Sequence, residues 1–403
     1  MSPSSRFADR RARAANRFTR MLLIAAVAAA CSTPSPGQPS GNPSTSEAAI
    51  GSSTPGAGPN SQTGPLVLQF DTPFPWSTLP VSGRLLFITY NSRASTSALP
   101  VPFIALLDLA TGGVTAVWHP PENTWLSGMD LSPDGTKLAL AYAAPPLPGL
   151  LQSGSPGLYL LPGDCLKRSC AEVAPQVIVE ASQTDTYFGP VWSPDGMDLY
   201  FTHFSSPANS QTQIFNVERV PADGGTPERL IANATWPRRS PDGKMLAYVA
   251  FDILQSTNDL YFAAPDGTSD VRPAMPPGSF LSVDAPVFSP DGQYIYFSAT
   301  GDFSRSLSEE VWPDHRTWLE RLTGVQSAYA NGMPSEWWRL PIAGGDPTRL
   351  SNIQAAGLSG AFSPDGQFFA FISYSGMAMM SADGDRLTWI DLGTTLGNLI
   401  WLP

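Results

Sequence analysis

Beyond residue 65 the apolar positions come in short alternating runs set between turn residues. Residues 137–142 read Lys-Leu-Ala-Leu-Ala-Tyr, and 198–202 read Asp-Leu-Tyr-Phe-Thr. Comparable runs stand at 245–249 (Met-Leu-Ala-Tyr-Val), 294–297 (Tyr-Ile-Tyr-Phe) and 368–372 (Phe-Phe-Ala-Phe-Ile). Runs of this length and period predict strands rather than helices. Each follows the tetrapeptide Ser-Pro-Asp-Gly, which starts at Ser132, Ser193, Ser240, Ser289 and Ser363. A degenerate sixth copy begins at Ser82 and runs into Arg-Leu-Leu-Phe-Ile-Thr-Tyr at 84–90. Successive starts lie 50, 61, 47, 49 and 74 residues apart, so a basic unit is extended in two places. Repetition at this period marks a repeat architecture.

The tetrapeptide has a physical basis. Ser first, Pro second and Gly fourth are the preferences of a type I turn, and the Gly takes positive φ to enter the next strand. That role accounts for Asp134, Asp195, Asp242, Asp291 and Asp365, which therefore carry no catalytic assignment. A short apolar strand precedes each turn, as in Gly-Pro-Val-Trp at 189–192 and Ala-Pro-Val-Phe at 285–288. A second hairpin follows, turning at Ala-Asp-Gly-Gly (222–225), Pro-Asp-Gly (265–267), Ala-Gly-Gly-Asp (343–346) and Ala-Asp-Gly (382–384). Four strands per unit, repeated radially, describe a β-propeller blade.

These units, with an aromatic residue before the turn and alternating apolar residues after it, resemble the TolB-like propeller repeat over residues 66–403. The resemblance implies an all-β, six-bladed propeller of four-stranded blades, and six outer hairpins give the same number. The chain ends Gly-Asn-Leu-Ile-Trp-Leu-Pro, with Trp401 in the place of Trp192. The C-terminal strand is thus expected to complete the first blade, since an open array would leave exposed strand edges. The third copy departs from the pattern. Trp236, Pro237, Arg238 and Arg239 precede its turn, and a bulged strand is expected there. TolB carries an α/β domain before its propeller, and propeller peptidases carry a hydrolase domain after theirs. A Ser/Pro/Gly-rich segment stands in the first place here, and the ring is expected to end the chain. A role in the Tol–Pal system is therefore not expected.

The N-terminus carries an address. Six Arg lie within residues 1–20, an apolar run fills 21–30, and Cys31 follows three Ala. This reads as a signal peptide over 1–30, with an apolar run too short to span a bilayer. Cys31 resembles the lipidated Cys of bacterial lipoproteins. Residues 31–65 are almost all Ser, Thr, Pro, Gly, Ala, Asn and Gln, a composition that cannot order itself and reads as a disordered tether. Localisation is expected to be exported, lipid-anchored on the outer side of the cytoplasmic membrane or in the periplasm.

Composition sharpens this picture. Pro and Gly, 41 and 35 of 403 residues, exceed the roughly 12% of average usage and argue against long helices. The net charge is −11, and removing residues 1–30 leaves 17 basic against 33 acidic residues, or −16. That balance excludes a nucleic-acid partner and attraction to an anionic bilayer, so membrane contact is expected through the lipid anchor only.

Candidate chemistry is sparse. No G-x-S-x-G, H-E-x-x-H, Walker or G-x-G-x-x-G motif occurs, and neither enzymatic activity nor a cofactor is expected. Cys165 and Cys170 close a small loop, which outside the cytoplasm reads as a disulfide. The long connections should share one face of the ring, where binding residues tend to sit. His119, His203 and His315 fall there or at its edges. They come from different blades and are not assigned a metal. An insertion at 301–336 lengthens the fifth blade and contains a predicted short helix at 313–322. Trp312 and Trp318 lie in it, Trp337 and Trp338 flank it, and together they form a candidate aromatic contact surface. The sequence thus points to a non-enzymatic module binding a protein or peptide. A glycan-binding or glycan-cleaving propeller and a structural envelope component are the alternatives.

Overall fold

Each Ser-Pro-Asp-Gly tetrad builds the same hydrogen-bonded corner. The Ser hydroxyl donates to the Asp two residues on, at 2.5–2.7 Å in all five copies. The same Asp oxygen accepts the backbone N–H two residues later, and the Ser oxygen accepts the N–H that opens the next strand. The Gly N–H closes the turn onto the Ser carbonyl, and the five Gly sit at φ of 69–72°. Only Gly adopts that conformation without a steric cost from Cβ.

The computed structural model describes residues 75–403 except 92–100, 122–123, 145–153, 169, 171–172, 208–212, 253–256, 304–333, 375 and 391–394. The chain divides into two units, Met1–Thr63 and Gly64–Pro403, and the described residues all lie in the second. Lipidation at Cys31, the insertion helix and Trp312, His315 and Trp318 fall outside the described residues.

The described residues form six four-stranded antiparallel sheets. Blade 1 holds β1 (Arg84–Asn91), β2 (Val101–Asp108) and β3 (Val114–Trp118), with β24 (Thr395–Leu402) on the inner side of β1. Blade 2 is β4 (Trp125–Leu131), β5 (Lys137–Ala143), β6 (Gly157–Pro162) and β7 (Gln176–Val179). Blade 3 is β8 (Asp185–Trp192), β9 (Asp198–Ser205), β10 (Ile214–Pro221) and β11 (Glu228–Ala232). Blade 4 is β12 (Ala234–Arg239), β13 (Leu246–Asp252), β14 (Thr257–Ala263) and β15 (Arg272–Pro273). Blade 5 is β16 (Ser282–Phe288), β17 (Tyr294–Thr300), β18 (Glu336–Pro341) and β19 (Thr348–Arg349). Blade 6 is β20 (Ser359–Phe362), β21 (Phe368–Ser373), β22 (Gly376–Ser381) and β23 (Leu387–Ile390).

The inner strands touch in a closed circle, β24 to β4, β8, β12, β16, β20 and back to β24. Closure falls where the sequence places it. Trp401 lies opposite Leu85 in β1 just as Trp192 lies opposite Leu199 in β9.

Six apolar clusters fill the six seams between blades. Each central strand faces two seams, so alternation sorts side chains between neighbours rather than between core and water. Leu138, Leu140 and Tyr142 of β5 pack toward blade 1, while Ala139 and Ala141 pack toward blade 3. Phe369 and Phe371 of β21 enter the seam with blade 5, and Ala370 and Ile372 the seam with blade 1. A fully buried side chain of the larger kind contributes roughly 1.5–3 kcal/mol, so each seam holds its neighbours without pairing strands across it.

The bulge expected in β12 is present, with its register shifting between Thr235 and Arg238. It is not peculiar to that blade. Inner strands of blades 1, 2, 3 and 5 shift at the corresponding place. Gly189, Trp236, Ala285 and Gly397 all take positive φ there, and Pro190, Pro237 and Pro286 follow the first three. A Pro has no N–H for the ladder, so the bulge supplies the one position in an inner strand where it costs no hydrogen bond.

Candidate functional site

The topology separates two faces. The first-to-second and third-to-fourth strand connections lie on one face and are tight turns, except residues 163–175 in blade 2 and the first-to-second place of blade 1, where β24 meets β1 without a turn. The second-to-third and blade-to-blade connections emerge on the other. On the turn face the polar groups satisfy one another. Hydrogen bonds from the Ser hydroxyl and the following amide hold the Asp195, Asp242, Asp291 and Asp365 carboxyls below their ordinary range, and hold Asp134 at about 2. Carboxylates stabilised this way are poor proton donors and poor bases near neutrality.

His119 and His203 have separate surroundings. His119 packs beside Phe103, with ring centroids 5.8 Å apart. His203 sits near the long-loop end of β9, stacked on Tyr187 at 4.8 Å. Its Nδ1 lies 2.8 Å from Glu218 and its Nε2 3.0 Å from Asp185. Burial disfavours the charged imidazole, but the two carboxylates together raise its pKa above the usual value. Burial also opposes ionisation of Asp185, yet bonds from Ser182, Thr184 and His203 hold it at about 2. An imidazole with both nitrogens on carboxylates is charged when both bonds are made, and it has no nitrogen left to activate a nucleophile.

Trp337 and Trp338 do not form the contact surface expected of them. They are 0% and 6% exposed. Trp337 packs edge-on against Phe369 in the seam with blade 6, and Trp338 against Phe280 in the seam with blade 4. Adjacent residues of a strand point to opposite faces, and here both faces are interior. Beside them Arg349 pairs with Glu336 at 2.9 Å and with Asp302, across the base of the insertion.

Cys165 and Cys170 form the expected disulfide. Both sulfurs lie in the seam between blades 1 and 2, and the Cys170 N–H donates to the Val117 carbonyl at 3.1 Å. Among the described residues, no three His, Cys, Asp or Glu side chains converge as metal ligands would.

The ionisable groups that sequence reasoning missed line the inner ring. Asp130 of β4 accepts the Trp192 N–H of β8 at 2.8 Å, tying two inner strands together. Burial pushes its pKa up to about 6, against the pull of that bond and of Arg238. Arg238 of β12 donates through Nε to the Pro286 carbonyl of β16 at 3.1 Å, and burial pulls its pKa down. Asp284 of β16 is 8% exposed. Burial pushes it up to about 7, opposed by hydrogen bonds from Ser282 and the Trp236 side chain. The one signal of this ring in the sequence is the departing third copy, which supplies Trp236 and Arg238.

No family model matches the chain. An uncharacterised protein of Agrobacterium fabrum is 32% identical over 131 residues, covering 32% of this chain and 39% of that protein. Dipeptidyl-peptidase 5 of Porphyromonas gingivalis is 28% identical over 152 residues, covering 35% of this chain and 21% of that protein. Both matches thus span well under two thirds of the relative's length. Among solved structures, TolB from Acinetobacter baumannii superposes with a TM-score of 0.52 at 18% identity, covering 80% of this chain and 67% of that one. At such identity the likeness is one of fold, and it agrees with the blade count and ring closure: the chain is a six-bladed β-propeller of four-stranded blades.

Proposed function

We propose that the chain is an exported, membrane-tethered propeller that binds a protein or peptide through its long-loop face and performs no catalysis of its own. The observation that carries this reading is the asymmetry of the two faces. On the turn face, Ser and Asp side chains and backbone amides are spent on one another. The opposite end of the inner ring holds the partly exposed aromatic residues Trp125, Phe188 and Trp236 on three successive blades, and the buried carboxyl of Asp284 on the next. Amphipathic aromatic side chains with a desolvated polar group are the usual anchors of protein recognition.

The address supports the same reading. A signal peptide over 1–30, lipidation of Cys31 and a tether over 31–65 would hold an acidic domain away from an anionic bilayer. No helix among the described residues is long and apolar enough to cross a membrane. A peptidase role like that named for the Porphyromonas gingivalis relative finds no support in His203, whose two ring nitrogens are both engaged.

The test is cross-linked capture from solubilised envelope, with the protein carrying and lacking residues 303–334. One protein captured by the first and lost with the second supports binding through this face. The same background from both, with folding retained, removes protein binding through the insertion and makes glycans the next ligands to try.

A further inference from the structure

The imidazole of His203 joins three strands of blade 3 through two bonds that only its charged form can make. Its Nδ1 faces Glu218 of β10 at 2.8 Å, and its Nε2 faces Asp185 of β8 at 3.0 Å. Donating to both carboxylates requires a hydrogen on each nitrogen. A neutral ring keeps one N–H and turns a lone pair toward the other acid. Loss of the proton therefore breaks one bond and sets two acceptors against each other.

The remaining partners of the two acids decide which bond breaks. Among the described residues Glu218 has no donor besides His203, and its side chain is 10% exposed. Asp185 also accepts from the hydroxyls of Ser182, Thr184 and Ser205, and its side chain is 29% exposed. The neutral ring is better placed with its hydrogen on Nδ1, because Asp185 has water and three hydroxyls to replace the imidazole and the more buried Glu218 has not.

Asp185 in turn holds a piece of the long-loop face. Residues 180–184 connect blade 2 to blade 3. Ser182 and Thr184 clasp Asp185 with their hydroxyls, and the Ser182 N–H donates to the Asp185 carbonyl. The Ser206 N–H, at the end of β9, donates to the Thr184 carbonyl at 2.8 Å. Asp185 and Ser206 thus fasten the connection to β9.

The other ionisable groups around His203 do not change charge with it. Tyr187, stacked on the ring, is pushed up to about 12 by burial and by the two acids. Arg229 stands opposite Glu218 on β11, is exposed, and keeps its charge throughout. Blade 2 packs Ala141, Leu158, Ile178 and Val179 into the seam on this side. Its Glu180 is exposed and acts on Tyr159. β12, on the far side of β9, turns Arg238 to Pro286 and Arg239 to Tyr200. The neighbouring connections, residues 144–156 and 206–213, contain no ionisable side chain.

We infer that His203 is a proton-operated latch on the long-loop face. Charged, it fastens the 180–184 connection to β9 through Asp185. Neutral, it keeps Glu218 and releases Asp185 with the connection. The latch needs no bound partner to operate.

The test uses the full chain. Nitrogen-15 NMR of the His203 ring reads its charge and tautomer between about pH 5.5 and 8.5, and amide hydrogen exchange, corrected for its intrinsic pH dependence, reads the connection. As the ring loses its proton, the neutral form is expected to carry its hydrogen on Nδ1. Protection of the Ser206 amide should fall about tenfold over the same titration, while the turn amides of Gly196 and Gly243 hold theirs. Asp185→Asn offers the neutral Nε2 an amide N–H and keeps an oxygen for Ser182 and Thr184, so Ser206 protection should become flat with pH. A neutral ring with its hydrogen on Nε2, Ser206 protection that ignores the titration, or a ring that stays in one charge state throughout overturns the latch. So does Asp185→Asn with the wild-type pH dependence. The first three outcomes are read on the wild-type protein, so they decide the matter even if the variant fails to fold. None of them bears on envelope capture, and the proposed function is tested separately.

Discussion

His203 shows how a residue's neighbours decide its role. The Asp185–His203–Glu218 chain is made of side chains from three adjacent strands of one blade, so it stitches β8, β9 and β10 near their long-loop ends. His203→Gln leaves two carboxylates without their shared cation and should cost about 1–3 kcal/mol in urea unfolding. The sign of its pH dependence follows from the raised folded pKa. The native state binds the extra proton, so the contribution is complete below about 6.5 and is lost as pH rises through the folded value. Unfolding midpoints of wild type and His203→Gln should therefore converge from pH 5.5 to pH 8.5. A gap that widens with pH would show the imidazole to be held neutral. Asp284 adds a trend in the same direction in the wild type, since its pKa rises to about 7 from an ordinary 3.8. Its protonated form favours the native state, and that contribution is lost as pH climbs through neutrality.

At the scale of the element, five of the six blades apply one turn chemistry to strands of different composition. The Ser-Asp pair, the following amide and the Gly make the corner self-sufficient, which is why it recurs unchanged while the strands around it vary. The outer connection of blade 2 is the exception to the short outer turns. It runs through residues 163–175 and is held by the disulfide and by Trp118 Nε1 donating to the Val173 carbonyl at 3.1 Å. Replacing Cys165 and Cys170 with Ser frees a six-residue loop, which in the chain-entropy account costs about 2 kcal/mol. Both sulfurs also pack in the seam between blades 1 and 2, so the measured loss in Tm should exceed that of reduction at an exposed loop. An unchanged Tm on full reduction would show that the seam holds the loop without the bond.

For the whole molecule, the ring stands or falls with β24. Its inner side chains fill the seam between blades 6 and 1, where Leu399 and Trp401 join Ile372 and Met379. Deleting residues 395–403 would expose the free edge of β1 and open two seams at once. The expected outcome is loss of the single cooperative melting transition and aggregation on concentration, seen by calorimetry and light scattering. A truncated chain that melts once and stays monomeric would mean that five complete blades suffice.

The sequence by itself determined the fold, the blade number, the closing strand and the disulfide. The physical reason is that each rests on local chemistry: turn residues and alternation that recur along the chain, and two Cys five positions apart. Only the tertiary structure decided which side chains meet across a seam, because seam partners come from different repeats. Trp337 and Trp338 looked like a surface beside an insertion, yet both faces of their strand are interior. Asp130, Arg238 and Asp284 looked ordinary in isolation. Their perturbed ionisation exists because six inner strands converge on one axis, burying Asp284 and crowding the partly buried Asp130 and Arg238 with protein.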